Sequence, residues 1–348
     1  MIIASREINS NKPYIIAEIG VNHDGDPERA LKLITLASES GADAVKFQLF
    51  RADMLMSGAS KLAAYQKNAG EHDPLSMLRR LELSIEQLAL CVDLAHRLGI
   101  HAIVSVFSTE LVEVAETLPW DAYKTASPDI IHKPLLTALA RTNRPLIIST
   151  GAANIDEISR AMDWLSPWKR QIALLQCVSS YPTPMSQAEL GGIVALRREY
   201  PTLPIGYSDH TPEEATGAIA CALGATILEK HFTDNRAAKG PDHAASLDPA
   251  GFQRYVEAVR RGGVQAPSVD VVKRVIDIER DVRDVSRQSV VAAVAIPRGA
   301  TIDASMLTVK RPGRGIEPFL LDAIIGRRAM NDIAPDRPIV GADIEGFT

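Results

Sequence analysis

Cysteine is scarce in this sequence, which has 348 residues and three cysteines, Cys91, Cys177 and Cys221. No two of them form a CxxC pair, so the sequence indicates neither a disulfide framework nor a cysteine metal site. A sparse, odd-numbered set is typical of buried thiols in a protein from a reducing compartment.

Long apolar runs and a strong charge excess are also missing. No stretch reaches the roughly 18 apolar residues that a bilayer-spanning helix needs. The first residues lack the basic start and apolar stretch of a signal peptide. The formal net charge is only −5, which argues against nucleic acid as the partner. We therefore expect a cytoplasmic protein that binds neither nucleic acid nor membranes.

Short apolar segments alternate with helix-like segments from about residue 14 to about residue 264. The predicted strands are 14–19, 44–48, 101–106, 122–125, 146–149, 172–176, 205–207 and 226–229. Eight such units in roughly 250 residues predict a TIM (β/α)8 barrel. A doubly wound sheet is the rival fold, but the Gly-rich GxGxxG loop typical of it is missing after the first strand.

Capping signals mark several of the predicted helices. Asp26 and Gly41 bracket a helix at 27–40, and Ser84 with Gln87 forms a capping box for one at 84–98. Further helices are predicted at 134–142, 155–165, 187–199, 212–223 and 250–261.

The pattern changes after residue 265. Residues 1–265 form the predicted barrel domain, 266–286 a linker with one charged helix at about 271–285, and 287–348 a small β-rich domain. Within the small domain we predict strands at 289–296 and 307–310 and a helix near 319–323, with a tight Arg-Pro-Gly-Arg-Gly turn at 311–315.

Polar residues follow every predicted barrel strand at its C-terminal end, where the active sites of TIM barrels lie. In strand order they are Glu18, Asn22 and His23; Lys46 and Gln48; Ser105 and Ser108; Lys124, Ser127 and Asp129; Ser149 and Thr150; Gln176, Ser179 and Tyr181; Ser208, Asp209 and His210; and Glu229, Lys230, His231 and Asp242. Eight strand ends would rarely all be polar by chance, so this rim is the candidate site.

Lys46 and Lys124 each lie inside an apolar strand. A buried lysine is costly unless an anion accompanies it. Three explanations stay open: an ion pair with Glu18 or Asp129, a phosphate or carboxylate of a substrate, and a Schiff-base lysine as in aldolases. The anionic substrate is the explanation that we favour.

His210 and His231 end two adjacent strands and can share one cation, with Asp209 and Glu229 beside them. Two imidazoles completed by water and substrate oxygens suit Mn2+ or a similar divalent ion. They are an incomplete set for structural zinc. His23 is either a third ligand or a hydrogen-bonding neighbour.

Eight barrel motifs, in order along the chain, resemble the N-acetylneuraminate (sialic acid) synthase family. They are AEIGVNHDG at 17–25, VKFQ at 45–48, YKTAS at 123–127, ISTG at 148–151, QCVSSYPTP at 176–184, GYSDHT at 206–211, LEKHFT at 228–233 and GPDHAASLDP at 240–249. KRPGRGI at 310–316 is similar to the C-terminal antifreeze-like (SAF) domain of that family. Each motif alone is weak, but together they span nearly the whole chain.

The resemblance implies a TIM barrel followed by an SAF domain. It implies a homodimer in which the small domain of each subunit caps the barrel of the other. It also implies a carbon–carbon bond-forming transferase that joins phosphoenolpyruvate to an N-acylated hexosamine, releasing phosphate and giving a nonulosonic acid.

The resemblance further implies roles for individual residues. His210 and His231 correspond to metal ligands, with Mn2+ expected and Mg2+ or Co2+ as alternatives. Phosphoenolpyruvate would contact Lys46, Ser105, Lys124, Ser127 and Ser149. The sugar would face Gln48, Tyr181 and Asp242, with Arg311 of the partner near its acyl group. Asp129, Ser179 and Ser208 complete the predicted substrate-binding set. Glu18 and Glu229 are the candidates for acid/base catalysis, and Lys46 and Lys124 are the predicted catalytic cations.

The chain departs from the family pattern at a few positions. Ser179 replaces an Asn of some members, Asp129 a Glu, Leu49 a common Thr, and Ile131-His132 an Asn pair. The acceptor therefore stays open between N-acetylmannosamine and a 2,4-diacetamido sugar of the legionaminate or pseudaminate type. A Schiff-base aldolase and a non-catalytic carbohydrate-binding protein are the rival functions.

Overall fold

A computed structural model describes residues 1–9 and 11–347. The strands in chain order are β1 (Ile2–Ile3), β2 (Arg6–Glu7), β3 (Tyr14–Gly20), β4 (Ala44–Leu49), β5 (His101–Val106), β6 (Ala122–Thr125), β7 (Leu146–Ser149), β8 (Ile172–Cys177), β9 (Ile205–Asp209), β10 (Ile227–His231), β11 (Ser289–Ala292) and β12 (Leu307–Lys310). Strands β3 to β10 form one closed parallel barrel in sequence order, with β10 pairing β3. The predicted TIM barrel is confirmed, and β1 and β2 form an additional N-terminal hairpin.

The helices are α1 (Pro27–Glu39), α2 (Ala52–Leu55), α3 (Ala64–Asn68), α4 (Pro74–Leu81), α5 (Ile85–Arg97), α6 (Leu111–Ala115), α7 (Lys133–Arg141), α8 (Ile155–Trp164), α9 (Gly191–Glu199), α10 (Thr216–Ala222), α11 (Pro249–Arg261), α12 (Arg280–Ser286) and α13 (Leu321–Ile324). The side chain of Asp26 caps α1, and Ser84 with Gln87 forms the predicted capping box of α5. Within the described part of the chain, no helix combines the length and apolar character needed to cross a bilayer.

The apolar core has two layers around the barrel strands. One lies between the strands and the surrounding helices and includes Ile15 and Ala17 of β3. The other fills the N-terminal half of the barrel interior and includes Tyr14 and Ile16 of the same strand. Since side chains alternate along a strand, each barrel strand contributes to both layers. Apolar side chains thus fill the barrel at the N-terminal ends of its strands, and the C-terminal ends are left for a cavity.

The small domain has a core of its own around the antiparallel pair β11 and β12. Its core residues are Val290, Ala292, Ile296, Ile302, Leu307, Ile316, Ile324, Ala329, Ile333, Ile339 and Ile344. The predicted strand at 289–296 ends early, at Ala292, and only an isolated bridge to Ile333 continues it at Ile296. A small β-rich domain after the barrel is confirmed.

The predicted linker helix at 271–285 is largely wrong. Only α12 is α-helical, preceded by one 3-10 turn at Asp277–Glu279. Four of the residues 271–276 are β-branched, which lowers helix propensity. This stretch instead lies along the barrel, where Lys273 is buried and Arg274 pairs with Glu189 at 3.1 Å.

Candidate active site

The barrel interior changes from apolar to polar within one two-residue step. On β3, Ile16 belongs to the buried inner layer and Glu18 follows it on the same face. The same step leads from Ala44, Ile103, Ala122, Ile147, Leu175 and Ile227 to Lys46, Ser105, Lys124, Ser149, Cys177 and Glu229. Strand periodicity alone therefore gathers a ring of polar groups above an apolar floor.

One cavity at this end of the barrel brings together nearly all of the predicted site residues. Its lining includes Glu18, Lys46, Gln48, Ser105, Lys124, Ser127, Ser149, Ser179, Tyr181, Ser208, His210, Glu229, His231, Asp242 and Arg311. Asp129 is the exception, and its predicted contact with substrate stays a prediction. It is fully buried in the 3-10 turn after β6, where its Oδ2 accepts a hydrogen bond from Ala126 N at 3.1 Å. Its side chain folds back to cap its own turn and does not line the cavity.

Both strand lysines are paired with glutamates. Lys46 Nζ lies 2.7 Å from Glu18 Oε2 and donates to Ser105 Oγ at 3.1 Å. Lys124 Nζ lies 3.3 Å from Glu229 Oε1, so its partner is Glu229 and not Asp129. Burial opposes the charged form, but Glu229 and Glu18 raise the pKa of Lys124 above its ordinary value. The ammonium group of Lys124 therefore stays charged at the base of the cavity.

The pKa values of the two glutamates are shifted in opposite directions. Burial raises the pKa of Glu18, and this exceeds the opposing effect of Lys46, while the charge of Glu229 adds to it. Burial also opposes ionisation of Glu229, but Lys124 and Lys46 hold its pKa below the usual range. Gln48 donates to Glu18 Oε1 at 3.0 Å, and Ser208 donates to Glu229 Oε1 at 3.3 Å. Neighbouring carboxyl groups with opposed pKa shifts are typical of acid/base pairs.

Hydroxyl groups crowd the cavity beside β6, β7 and β8. Gly151 N donates to Ser127 Oγ at 3.0 Å, and a Cβ at Gly151 would lie 2.7 Å from that oxygen and overlap Ser179 Oγ. Ser149 Oγ and Ser179 Oγ are buried without a hydrogen-bond partner. Since buried polar atoms are normally paired, free hydroxyl groups beside Lys124 point to an anionic ligand.

The two histidines face each other across the cavity, with ring centroids 5.3 Å apart. His210 Nδ1 donates to Val178 O at 2.7 Å, so the lone pair is on its Nε2, which lies 3.5 Å from Ser208 Oγ and could bind a cation. His231 Nδ1 has no hydrogen-bond partner and lies 3.7 Å from Asp242 Oδ2. Burial lowers the pKa of His231 far below its ordinary value, so the ring is neutral, as a metal ligand must be.

These donors fit a cation that water or substrate completes. Among residues 1–9 and 11–347, no group of three His, Cys, Asp or Glu side chains is arranged to hold a metal ion. His23 is not a third ligand, because it does not line the cavity and its Nδ1 accepts from Gly25 N at 3.0 Å. A metal bound here would therefore rest on two imidazoles, with positions left open for other ligands.

An apolar wall completes the cavity and was missed by the sequence analysis. Leu55 of α2 and Met77, Leu78 and Leu81 of α4 line this side, together with Val21, Phe50, Tyr65 and Phe107. Asp73 caps α4 and Pro74 opens it, a start signal that is readable in the sequence. Tyr181 stands between this wall and the two histidines, 4.9 Å from the Tyr65 ring and 4.1 Å from the His210 ring.

Arg311 of the small domain reaches the cavity of its own chain. Its backbone N donates to Leu55 O at 2.9 Å, and its carbonyl accepts from Ser57 N at 3.1 Å. Its guanidinium lies over Phe107, 5.8 Å from the ring centre, and its Nε has no partner. We expected Arg311 at the site of a partner. A single chain has only one barrel, so its small domain docks on that barrel.

Comparisons with known proteins match both parts of the chain. A family model described as NeuB family matches residues 33–266, and one described as SAF domain matches residues 287–345. A Legionella pneumophila protein named N,N'-diacetyllegionaminic acid synthase is 35% identical, with 98% of this chain aligned to 99% of that protein. The N-acetylneuraminate-9-phosphate synthase of Mus musculus is 33% identical, with 96% of this chain aligned to 93% of that protein. The crystal structure of the Bacillus subtilis spore coat polysaccharide biosynthesis protein SpsE superimposes with a TM-score of 0.86 at 30% identity, covering 99% of this chain and 98% of that one.

Proposed function

The chain belongs to the NeuB family of sialic and related nonulosonic acid synthases, and from this premise we propose that it condenses phosphoenolpyruvate with an N-acylated hexosamine. One observation carries the proposal. A single buried cavity holds two lysine ammonium groups and hydroxyl groups without hydrogen-bond partners. Two imidazoles, an apolar wall and one arginine also line this cavity. These groups match an anionic enol phosphate and an acylated sugar.

Phosphoenolpyruvate carries a phosphate and a carboxylate, and both need cationic or hydrogen-bonding partners in a buried site. Lys46 and Lys124 supply the charge, and Ser127 and Ser149 supply hydroxyl groups. Both lysines are engaged with glutamates before substrate arrives. A bound anion would share those ammonium groups, and the contacts with Glu18 and Glu229 hold the two lysine side chains in place.

In the proposed reaction, C3 of phosphoenolpyruvate attacks the aldehyde carbon of the open-chain sugar, and a carbon–carbon bond forms. The aldehyde oxygen gains a proton. Water adds to C2 and loses one proton. The resulting tetrahedral intermediate then loses the second proton of that water as the C2–O bond to phosphate breaks, which leaves a ketone at C2 and inorganic phosphate. We assign the proton donor to Glu18 and the acceptor to Glu229, because their pKa values are shifted up and down respectively.

We further propose that His210 and His231 hold a divalent metal, with Mn2+ as the expected ion and Mg2+ or Co2+ as alternatives. When bound, such an ion supplies Lewis-acid polarisation of the sugar carbonyl. Asp242, near His231, and Tyr181, packed on His210, would orient the sugar beside this position.

The apolar wall favours a sugar with methyl or acyl groups on the side that faces Leu55 and Met77. A 2,4-diacetamido sugar offers two acetyl methyl groups to such a wall, whereas N-acetylmannosamine offers one acetyl group and more hydroxyl groups. Between the two candidate acceptors, we therefore favour the 2,4-diacetamido sugar of a legionaminate- or pseudaminate-type synthase over N-acetylmannosamine. Burying apolar surface in place of hydroxyl groups without partners would give it the higher kcat/KM.

Phosphate release measured over a panel of acceptors tests the proposed function. We expect release from phosphoenolpyruvate with N-acyl hexosamines and none with the corresponding free amino sugars. The ratio of kcat/KM between a 2,4-diacetamido sugar and N-acetylmannosamine decides between the two acceptors. Trapping by borohydride with pyruvate, in a reaction that needs no metal, would instead indicate a Schiff-base aldolase. Carbohydrate binding without phosphate release would indicate a non-catalytic protein.

For the whole protein we propose a cytoplasmic homodimer in which the small domains are exchanged. Residues 263–276 carry no helix or strand. An irregular segment of this length could connect a small domain either to its own barrel or to that of a partner. The contacts of Arg311 with Leu55 and Ser57 can form in the same way between two chains.

A further inference from the structure

The segment just before the small domain makes a close contact with the barrel that the proposed reaction does not explain. We call residues 279–287 the clamp segment; it consists of Glu279, helix α12 and Arg287. It packs against the loop that follows β7. That loop begins directly after Ser149, whose hydroxyl group lies at the end of the cavity where we place the anionic substrate.

Ala152 of this loop is held by the clamp segment through both of its backbone polar groups. Its N–H donates to Glu279 Oε1 at 2.6 Å. Its carbonyl accepts from Arg287 Nη2 at 2.9 Å and also from Arg283. Ala152 has a φ of 49°, in the left-handed region that side-chain-bearing residues rarely adopt. Such a conformation persists where the surroundings over-determine it, which the clamp segment does here.

Glu279 also reaches a second loop of the site. The same Oε1 accepts from Ser179 N at 2.8 Å, so one carboxylate oxygen joins the loops after β7 and β8. Ser179 supplies one of the unpaired hydroxyl groups of the cavity. Its Oγ lies so close to Gly151 that a methyl group there would overlap it. A small movement of either loop would therefore displace the hydroxyl groups around the anion.

Glu279 itself does not touch the cavity, whereas Val282 and Ser286 of the clamp segment line it. Glu279 is 1% exposed, and its Oε2 is used by Ile276 N at 3.1 Å. The clamp segment is fixed from behind by Glu157 of α8, which lies 2.7 Å from Arg283 and 3.1 Å from Arg287. Hydrogen bonds from Arg283 and the charge of Arg287 overcome the effect of burial and lower the pKa of Glu157 to about 2, so this contact stays ionic.

We infer that Glu279 is a positioning residue for the phosphoenolpyruvate end of the site and that the clamp segment couples seating of the small domain to phosphoenolpyruvate binding. The inference rests on the proposed function. Coupling between two sites is reciprocal. If the seated clamp segment shapes the loops for the anion, then the bound anion holds the clamp segment and the preceding linker in place.

The test uses the full-length chain with the substitutions Glu279→Gln and Glu279→Ala. Glu279 accepts hydrogen bonds from the backbone N–H groups of Ala152, Ser179 and Ile276. Glutamine replaces one of the two acceptor oxygens with an NH2 group, and alanine leaves all three N–H groups without an acceptor. We expect the KM for phosphoenolpyruvate to rise about 10- to 100-fold, the cost of a small misplacement of binding groups. The KM for the sugar should change little. The control is Asp277→Asn in the neighbouring turn, where the side chain is 87% exposed. It should match the wild type.

Limited trypsin digestion gives a second readout that does not depend on turnover. Arg274 lies in the irregular linker and is 48% exposed, so cleavage after it reports on linker mobility. Phosphoenolpyruvate should slow this cleavage in the wild type and in Asp277→Asn, and should have no such effect in Glu279→Gln. If the Glu279 variants do not fold, Arg283→Gln removes one of the two donors to Ala152 O and should give a smaller shift in the same direction.

The outcomes separate the inference from the proposed function. A wild-type chain that neither binds phosphoenolpyruvate nor releases phosphate would refute both. A functional wild type with Glu279 variants of unchanged phosphoenolpyruvate KM would refute the inference alone. So would a lower melting temperature with both KM values altered equally, because that result describes a purely structural residue.

Discussion

At the scale of single residues, Asp129 is a fully buried carboxyl group whose Oδ2 accepts a hydrogen bond within its own turn. Burial raises its pKa to about 7, against opposing effects of the Arg311 charge and the Ala126 N–H. The folded protein therefore keeps a proton that the unfolded chain loses near pH 4. As pH rises from about 4 to about 7, the free energy of unfolding should fall. Above about pH 7 it should no longer change through this group.

Asp129→Asn removes this dependence, because an amide does not titrate and its oxygen can still accept from Ala126 N. Relative to the wild type, the variant should become progressively more stable between pH 4 and pH 7, by at most about 4 kcal/mol. Urea unfolding at several pH values measures the difference. Asp53→Asn is the control, since Asp53 is 70% exposed. Parallel stability curves for Asp129→Asn and the wild type would contradict the prediction.

The paired histidines predict metal dependence. Chelation with EDTA should abolish phosphate release, and Mn2+ should restore it. His210→Ala or His231→Ala should each remove bound metal, measured by elemental analysis, and leave the melting temperature close to that of the wild type. His96→Ala is the matched control, because His96 is paired with Asp121 away from the cavity. Full activity of a metal-free wild type would exclude the metal role.

The site residues on barrel strands could be predicted from the sequence, whereas those on short helices within loops were missed. Lys46, Lys124 and Glu229 were predictable because each follows an inward apolar residue by two positions on a strand. Leu55 was not predicted, since the four residues of α2 carry too little periodicity to be recognised. Met77 was missed although Asp73 and Pro74 mark the start of α4. For Asp129, the sequence does not show whether a side chain after a strand points into a cavity or back to its own turn, where Oδ2 accepts a hydrogen bond.

At the scale of elements, the neighbouring strands β9 and β10 are joined on their outer side by a buried ion pair. Lys230 Nζ lies 3.0 Å from Asp209 Oδ2, and both side chains are fully buried. Lys230 also donates to the carbonyls of Thr211 and Glu213. These bonds fix the loop that follows His210, and they explain why α10 begins only at Thr216, later than the predicted 212.

Lys230→Met should destabilise the fold strongly, because it leaves the Asp209 carboxylate buried without its partner, a loss of about 3–5 kcal/mol. Lys32→Met is the control at an exposed pair with Asp234, where Lys32 is 61% exposed. It should cost about 0–1 kcal/mol. Urea unfolding of both variants tests the difference, and equal losses would show that the buried pair contributes little.

Most of the element pattern was predictable from local rules. All eight barrel strands were predicted within two residues at each end, because each is a short apolar run between breakers. Helices with side-chain caps, such as α1 and α5, were equally clear. The linker failed because its course is set by long-range contacts, such as that of Glu279 with the loops after β7 and β8, which leave no periodic signal in the sequence.

At the scale of the whole molecule, a small domain can complete the cavity of its own barrel or the cavity of a partner's barrel. In the single chain Arg311 docks through Leu55 and Ser57 of its own barrel. Exchange between two chains would keep every one of these contacts and change only the path of the irregular linker.

We predict that Arg311 acts at the partner's site, as the family resemblance implies. The test mixes the inactive variants His231→Ala and Arg311→Ala after the subunits are dissociated and reassociated. In an exchanged dimer, the intact barrel of one chain receives the intact arginine of the other. Random pairing then restores about a quarter of wild-type activity, since half of the dimers are mixed and each has one complete site. Mixing Lys46→Ala with His231→Ala is the control, because both lesions lie in the barrel and no pairing repairs either. If the first mixture recovers no more activity than the control, each chain closes on itself, and Arg311 serves its own barrel as it does in the single chain.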